Sequence, residues 1–142
     1  MKKYSYSITV TADLRAAFEE GDINRIINEL NAVIGSIPYD LWRADTEFIF
    51  HIITLLTFKN VGIDLSAEVH GSKGRADVIV KTKRFIYVLE LKLDASAREA
   101  LDQIFEKGYL QPYAGDERKK LAIGIGFSAE QRNIADHCVK EL

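Results

Sequence analysis

Gly74-Arg75-Ala76-Asp77 is followed, thirteen residues after Asp77, by Glu90-Leu91-Lys92, and each set lies in an apolar, strand-like run. Carboxylate oxygens are hard donors that suit Mg²⁺ or Mn²⁺, with magnesium ligands at about 2.0–2.1 Å. Asp77 and Glu90 on two neighbouring strands can therefore hold such an ion, completed by a main-chain carbonyl such as that of Leu91 and by water. Side chains alternate along a strand, so Lys92 faces the same way as Glu90, and Arg75 the same way as Asp77. A lysine beside a metal-bound water can orient it, help it lose a proton or stabilise developing charge, while the metal lowers the water's pKa. Arg75 is a candidate phosphate clamp. The chemistry open to this set is hydrolysis of a phosphate ester.

Glu-x-Lys also occurs on strands whose charged face is simply solvated. The context here is different. Glu90 and Lys92 interrupt the apolar run Ile86-Tyr87-Val88-Leu89, with Leu91 and Leu93 alongside, in what reads as a central strand, where an unpaired charge is costly.

The elements that must position these residues follow from periodicity. Thr11 or Asp13 can cap a short helix through Glu20, stopped by Gly21; Asp22 then caps a second helix with Ile23, Ile26, Ile27, Leu30, Val33 and Ile34 at helical spacing, closed by Gly35 and Pro38. A third helix starts near Asp45, with Phe48, Ile49, Ile52, Leu55 and Leu56 expected inward, and ends at Asn60 to Gly62. The period then changes. Ile63 to His70, Asp77 to Val80 and Phe85 to Leu91 read as three strands of an antiparallel meander, linked through Gly71 and Gly74 and through Lys81-Thr82-Lys83-Arg84. Ala95 to Lys107 reads as a helix with Ala97, Ala100, Leu101, Ile104 and Phe105 inward, and Leu121 to Phe127 as a strand that lies parallel to an earlier one after the crossover. Ser128 to Leu142 is either a helix capped by Ser128 with Gln131 three residues on, or an edge strand carrying Ile134, Cys138 and Val139. The fold class is α/β (α+β), a central mixed sheet of four to five strands flanked by helices.

Composition bounds the rest. At 142 residues, 47% hydrophobic and 28% charged, the chain is of a size and make-up that folds as one soluble domain. A single cysteine, Cys138, excludes an internal disulfide framework and fits a reducing cytoplasm. The basic start lacks the apolar run of a signal peptide, and Phe48 to Phe58 is too short and polar to span a bilayer, so no membrane role is expected. The formal charge of -2 is unevenly shared: residues 71–120 hold 11 Lys or Arg against 8 Asp or Glu, leaving 8 against 13 elsewhere. The basic excess surrounds the candidate site, although solvated side chains alone produce such fluctuations. No GxxxxGK[ST] phosphate loop occurs, so no nucleotide-driven motor is encoded in these residues.

Three stretches, Gly74-Arg75-Ala76-Asp77-Val78-Ile79-Val80, Ile86-Tyr87-Val88-Leu89-Glu90-Leu91-Lys92 and Ala100-Leu101-Asp102-Gln103-Ile104-Phe105-Glu106-Lys107-Gly108-Tyr109, together resemble the PD-(D/E)XK nuclease superfamily. More narrowly they are similar to the nuclease-like domain that follows an AAA-type ATPase domain in bacterial proteins. The likeness extends to Ser36-Ile37-Pro38-Tyr39, Glu47-Phe48-Ile49-Phe50-His51, Ala67-Glu68-Val69 and Ile123-Gly124-Ile125-Gly126-Phe127-Ser128.

The resemblance implies a restriction-endonuclease-like core over 45–142, preceded by a helical part over 1–44, within a single domain. It implies Asp77 and Glu90 as metal ligands with Leu91 contributing its carbonyl, Lys92 as the catalytic lysine, and Glu47 and Gln103 as further active-site residues. Lys107 and Tyr109 join Arg75 as expected nucleic-acid contacts. Two departures stand out: Ala76 replaces the proline of the superfamily's name, and Lys107 stands four residues after Gln103 where relatives place tyrosine. The expected activity is hydrolysis of DNA with Mg²⁺ or Mn²⁺; the contrasting expectation is a non-cleaving nucleic-acid-binding or protein-docking module. Expected partners are nucleic acid, an AAA-type ATPase domain in cis in a longer parent protein, and a second copy of the chain.

Several of these residues also have plain structural readings. Glu47 suits the first turn of any helix, where carboxylates complement the dipole. Gln103 and Lys107, one turn apart, could be an exposed pair. Tyr109, with Pro112 and Tyr113, could serve local packing and turns. Glu68 faces either solvent or the cleft, and His51, His70 and His137 have no metal-ligand spacing.

Overall fold

The computed structural model describes residues 13–61, 66–72 and 75–142. A first helix, α1, covers residues 13–20. It is followed by α2 (Ile23–Gly35), α3 (Tyr39–Ala44), α4 (Thr46–Asn60), strands β1 (Ser66–Ser72), β2 (Arg75–Lys81) and β3 (Phe85–Leu93), α5 (Ala97–Glu106), β4 (Lys119–Ser128) and β5 (Asn133–Glu141). The strands form one sheet in the order β1-β2-β3-β4-β5, antiparallel except for the β3–β4 pair. The meander and the parallel return after α5 both appear as expected. The parallel pair requires a crossover, and α5 supplies it.

Two of the expected caps act as read, at α2 and α4. Asp22 accepts the Arg25 N–H at 3.1 Å to start α2, and Asp45 accepts the Phe48 N–H at 3.0 Å to start α4. At α1, Thr11 lies outside the described residues, and Asp13 is not the cap: it is already helical and pairs with Arg25 at 3.4 Å. Gly21 takes φ +74°, and a Cβ there would lie 2.7 Å from the Phe85 ring, so both backbone and space call for glycine. The short α3 was not anticipated: Pro38, read as a terminator, instead precedes a helical turn, a position its fixed φ suits.

The sheet is covered on both sides. Tyr87, Leu89, Leu91, Val78, Val80, Ile123 and Ile125 face α1, α2 and α4 and pack with Phe18, Ile26, Leu30, Phe50 and Phe58. Val88 and Ala122 face the other way, toward Leu101 and Ile104 of α5 and Leu110 beyond it. Cover on both faces explains why β3 is an almost unbroken apolar run. Tyr87 Oη also donates to the Phe18 carbonyl at 2.6 Å, tying α1 to the central strand.

Two expectations are corrected, and one open choice is decided. In α4 the inward residues are Phe50, Thr54 and Phe58, whereas Phe48 (57%), Leu55, Leu56 (55%) and Ile52 are exposed. That helix is apolar around most of its circumference, so periodicity alone selects the wrong stripe. Phe105 likewise lies exposed at the end of α5. The closing segment is strand β5, antiparallel to β4, and not a helix. The Ser128 cap is genuine, accepting the Gln131 N–H at 3.1 Å, but it closes a turn in which Arg132 has φ +54°.

α5 sits unusually close to β4. A Cβ on Gly124 would collide with the Ala97 carbonyl and lie 2.6 Å from the Leu101 nitrogen, and one on Gly126 would collide with Asp136 and lie 2.6 Å from the Ala95 carbonyl. Gly124→Ala should therefore lower stability by about 2 kcal/mol through overpacking against backbone. Gly35→Ala, where a Cβ meets nothing within 4 Å, should be neutral or stabilising by up to about 1 kcal/mol. Denaturant unfolding of the two variants measures the contrast, and equal stabilities would refute it.

Candidate active site

A turn sets the register on which the site depends. Thr82 Oγ1 accepts the N–H groups of Arg84 at 3.2 Å and Phe85 at 2.9 Å, closing the β2–β3 hairpin so that Lys81 pairs with Ile86. Counting back along the two strands then places Asp77 directly opposite Glu90 and Arg75 opposite Lys92. Directly opposed residues project from one face of a sheet. Because Val88 and Ile79 pack toward α5, that face is the α5 side.

Asp77 is 8% exposed and Glu90 is fully buried. Lys107 Nζ lies 3.5 Å from Glu90 Oε1, while Glu90 Oε2 is buried without a hydrogen-bond partner. Burial pushes the Glu90 pKa up; Lys107 opposes this, and the charge of Asp77 adds to it. A carboxylate in this position is poorly satisfied as the protein stands. Hard oxygen donors, one of them orphaned, beside a second carboxylate are what a divalent cation would satisfy, so the residues fit such an ion.

α5 brings the remaining groups. Its start is fixed by Ser96, which accepts the Glu99 N–H at 3.1 Å, and by Asp136, which accepts the Ala97 N–H at 3.2 Å. Gln103 Oε1 accepts from Arg75 Nη1 at 3.4 Å, joining helix to strand. The helix ends at Lys107, and Gly108 at φ +65° turns the chain so that Tyr109 follows, its ring centroid 5.5 Å from Lys107 Nζ. Burial raises the Tyr109 pKa, with Lys107 opposing and the charges of Asp77 and Glu90 adding. Arg75, Asp77, Glu90, Lys92, Gln103, Lys107 and Tyr109 thus share one face.

Glu47 is placed differently. It lies exposed in the first turn of α4, on the opposite side of the sheet from α5. It stands seven residues before Thr54 and eleven before Phe58, so it lies on the core-facing side of the helix but beyond the covered part. Phe50 packs at 5.4 Å from Phe127, which pairs with Leu93, so this end of α4 lies at the sheet end nearest Lys92. Among the described residues no three His, Cys, Asp or Glu side chains come together as a metal-holding group, so Glu47 does not join the Asp77–Glu90 pair. Leu91 turns its side chain into the opposite core.

Sequence reasoning missed two features. Lys107, expected at phosphate, is the counter-ion of Glu90; its signal was Gly108, which marks where the helix must end. His70, read as an ordinary histidine, is paired with Asp77 on β1 and exposed on the same face. The signal was the alternation Glu68-Val69-His70.

A family model of the PD-(D/E)XK nuclease superfamily matches residues 45–137. The chain belongs to that superfamily, and its mixed five-stranded sheet flanked by helices is the restriction-endonuclease-like arrangement expected of it. It is 29% identical over 117 residues to the "Uncharacterized protein in vnfD 5'region" of Azotobacter chroococcum mcd 1, a match covering 78% of this chain and 23% of that protein. The chain thus spans about a quarter of the length of this relative. No solved structure matches it. Membership suggests nuclease-type function and interaction with nucleic acid, and nucleases of this superfamily generally use divalent metals. Among the described residues no helix is long and apolar enough to cross a membrane.

The raised Glu90 pKa has a definite linkage sign. Between the ordinary value of 4.5 and the raised one the folded state binds the extra proton, so this contribution to stability is full below 4.5 and is lost as pH rises through the folded pKa. Glu90→Gln should therefore raise the thermal midpoint of the chelator-treated protein at pH 7 by about 3 °C, on the order of 1 kcal/mol. It should also remove part of the decline in stability above pH 5. Thermal scans from pH 4 to 8 in EDTA measure both, and a variant less stable than the parent at pH 7 would refute the assignment.

Proposed function

We propose that this domain is a metal-dependent phosphodiesterase that cleaves DNA. The observation that carries the reading is the buried, half-satisfied Glu90 carboxylate set directly opposite Asp77 on the face where Arg75, Lys92, Lys107 and Tyr109 converge. Asp77, Glu90 and the Leu91 carbonyl would hold Mg²⁺ or Mn²⁺. Such an ion supplies acidification of a water molecule and compensation of negative charge at the phosphate.

The chain's own residues divide the remaining work. Lys92, half-buried on the row next to Glu90, orients the attacking water and takes up or shields charge at the phosphate. Arg75 is steadied by Gln103 and presents its guanidinium to a phosphate oxygen. Tyr109, whose pKa is raised, keeps its proton at neutral pH and donates a hydrogen bond to the nucleic-acid backbone. Lys107, 3.5 Å from Glu90, would be released to serve the phosphate if a cation took over that carboxylate. Glu47, at the sheet end nearest Lys92, would support the site from there without touching the Asp77–Glu90 pair.

The same proposal covers the setting: a single cytoplasmic domain, joined in cis to an AAA-type ATPase domain in a longer parent protein, and pairing with a second copy of itself. The Lys107–Glu90 pair also favours a contrasting reading, in which the lysine holds the carboxylate permanently and the fold binds nucleic acid or a protein without cutting.

Incubation of plasmid and of single-stranded DNA with Mg²⁺ or Mn²⁺ separates the two. Cleavage should fall by about 10²–10⁴-fold in Asp77→Ala and in Lys92→Ala. Equal cleavage by parent and variants would sink the catalytic assignment, and none by either would favour the binding module. Independently, Arg75→Ala should weaken DNA binding and reduce the slope of log affinity against log salt by about one. An unchanged slope would remove Arg75 from the phosphate contacts.

A further inference from the structure

α4 presents a face that nothing among the described residues covers. Phe48, Ile52 (37%), Leu55 (40%) and Leu56 are exposed along it, and their spacing of four, three and one residues puts them on a single stripe. The inner side of the same helix is already engaged: Phe50, Thr54 and Phe58 are buried. Four large apolar side chains in line on one helix, with Tyr39 and Leu41 exposed on the adjoining α3, are more than scattered surface residues.

The stripe ends in charges of opposite sign. Asp45, exposed, caps the start of α4, and Lys59, exposed and without an ion-pair partner among the described residues, lies in its last turn. Positions along the stripe are arranged evenly about Ile52. Asp45 and Lys59 stand seven residues on either side of it, and Phe48 and Leu56 four. A second helix laid antiparallel across a two-fold axis at Ile52 therefore meets the first with like facing unlike: Asp45 against Lys59 of the second copy, Phe48 against Leu56, Ile52 against Ile52. A two-fold interface must be self-complementary, and this stripe is. The parallel arrangement would stack lysine on lysine.

We propose that α4 pairs antiparallel with α4 of a second copy of this chain. The inference deepens the second-copy element of the proposed function and does not rest on cleavage, so a failed nuclease assay leaves it standing. A 15-residue helix is about 22 Å long. Two such helices with the flanking α3 residues reach only the lower end of stable interfaces, about 1,000–1,200 Å² in total. The dimer is accordingly concentration-dependent. The contact lies on the α4 side of the sheet and the carboxylates on the α5 side, so each copy keeps its own site open.

Sedimentation of the full chain from about 1 µM to 1 mM reads the self-association, a range that spans millimolar to micromolar affinities. The parent is expected to shift from monomer to dimer, and Leu56→Glu to stay monomeric with an unchanged circular dichroism spectrum. In a Cys138→Ser background, Ile52→Cys should form an intermolecular disulfide under mild oxidant, as its position on the axis requires, whereas Glu130→Cys on an exposed turn should not. A parent that is monomeric throughout and does not cross-link overturns the proposal, whether residues 1–12 of the same chain or another domain then take the face. So does a dimer that survives Leu56→Glu and fails to cross-link at position 52, which would place the contact elsewhere.

Discussion

Glu90 occupies the middle of a strand that has neighbours on both sides and cover on both faces, and its carboxylate is fully buried. A charge in that environment has to be compensated, because the medium around it screens poorly and water cannot reach it. The surroundings are arranged around this constraint. Lys107 bends back from the end of α5 to give one oxygen a counter-charge, and the other oxygen is left open. Asp77, on the paired position, makes the compensation harder. A fold selected only for stability would place an apolar residue here, as it does at Val88 and Leu89 on the same strand. The cost is concentrated at the one place where a cation would turn it into binding energy.

Much of this was legible in the residues because strand geometry is simple. A two-residue period and a four-residue link between Val80 and Phe85 leave few registers, and Thr82 selects the one that brings Asp77 to Glu90. The three-strand meander, the crossover through α5 and the parallel return of β4 follow from the same economy. Gln103 and Tyr109 lie on the same face as the carboxylates, and their geometry depends on where α5 stops. That is decided by Gly108 in a left-handed conformation, and a helix boundary is the least certain thing a sequence conveys.

α4 was legible in extent and illegible in orientation. Periodicity identifies an inward face only when the opposite face is polar, and α4 offers apolar residues to both sides. Phe50 and Phe58 win the interior because they meet Phe127 and Phe18, contacts made across long sequence distances. Ser128 teaches a similar lesson at shorter range: a cap satisfies backbone donors whatever the chain does next, so the same hydrogen bond serves a helix or a turn. The strand that follows is specified by pairing with β4, which no local pattern contains.

The two glycines of β4 have a consequence for how such a domain can change over time. Gly124 and Gly126 let α5 press its backbone against the sheet, so Gln103 and Lys107 ride on a helix whose height is fixed by the absence of two methyl groups. A side chain there would meet the α5 backbone, whereas Asp77→Asn or Glu90→Gln adds no heavy atom to the layer. Drift constrained by folding alone would thus erase the carboxylates early and the glycines late. Descendants of this architecture that have abandoned chemistry should still be recognisable by the close-set helix, long after nothing remains beneath it to hold an ion.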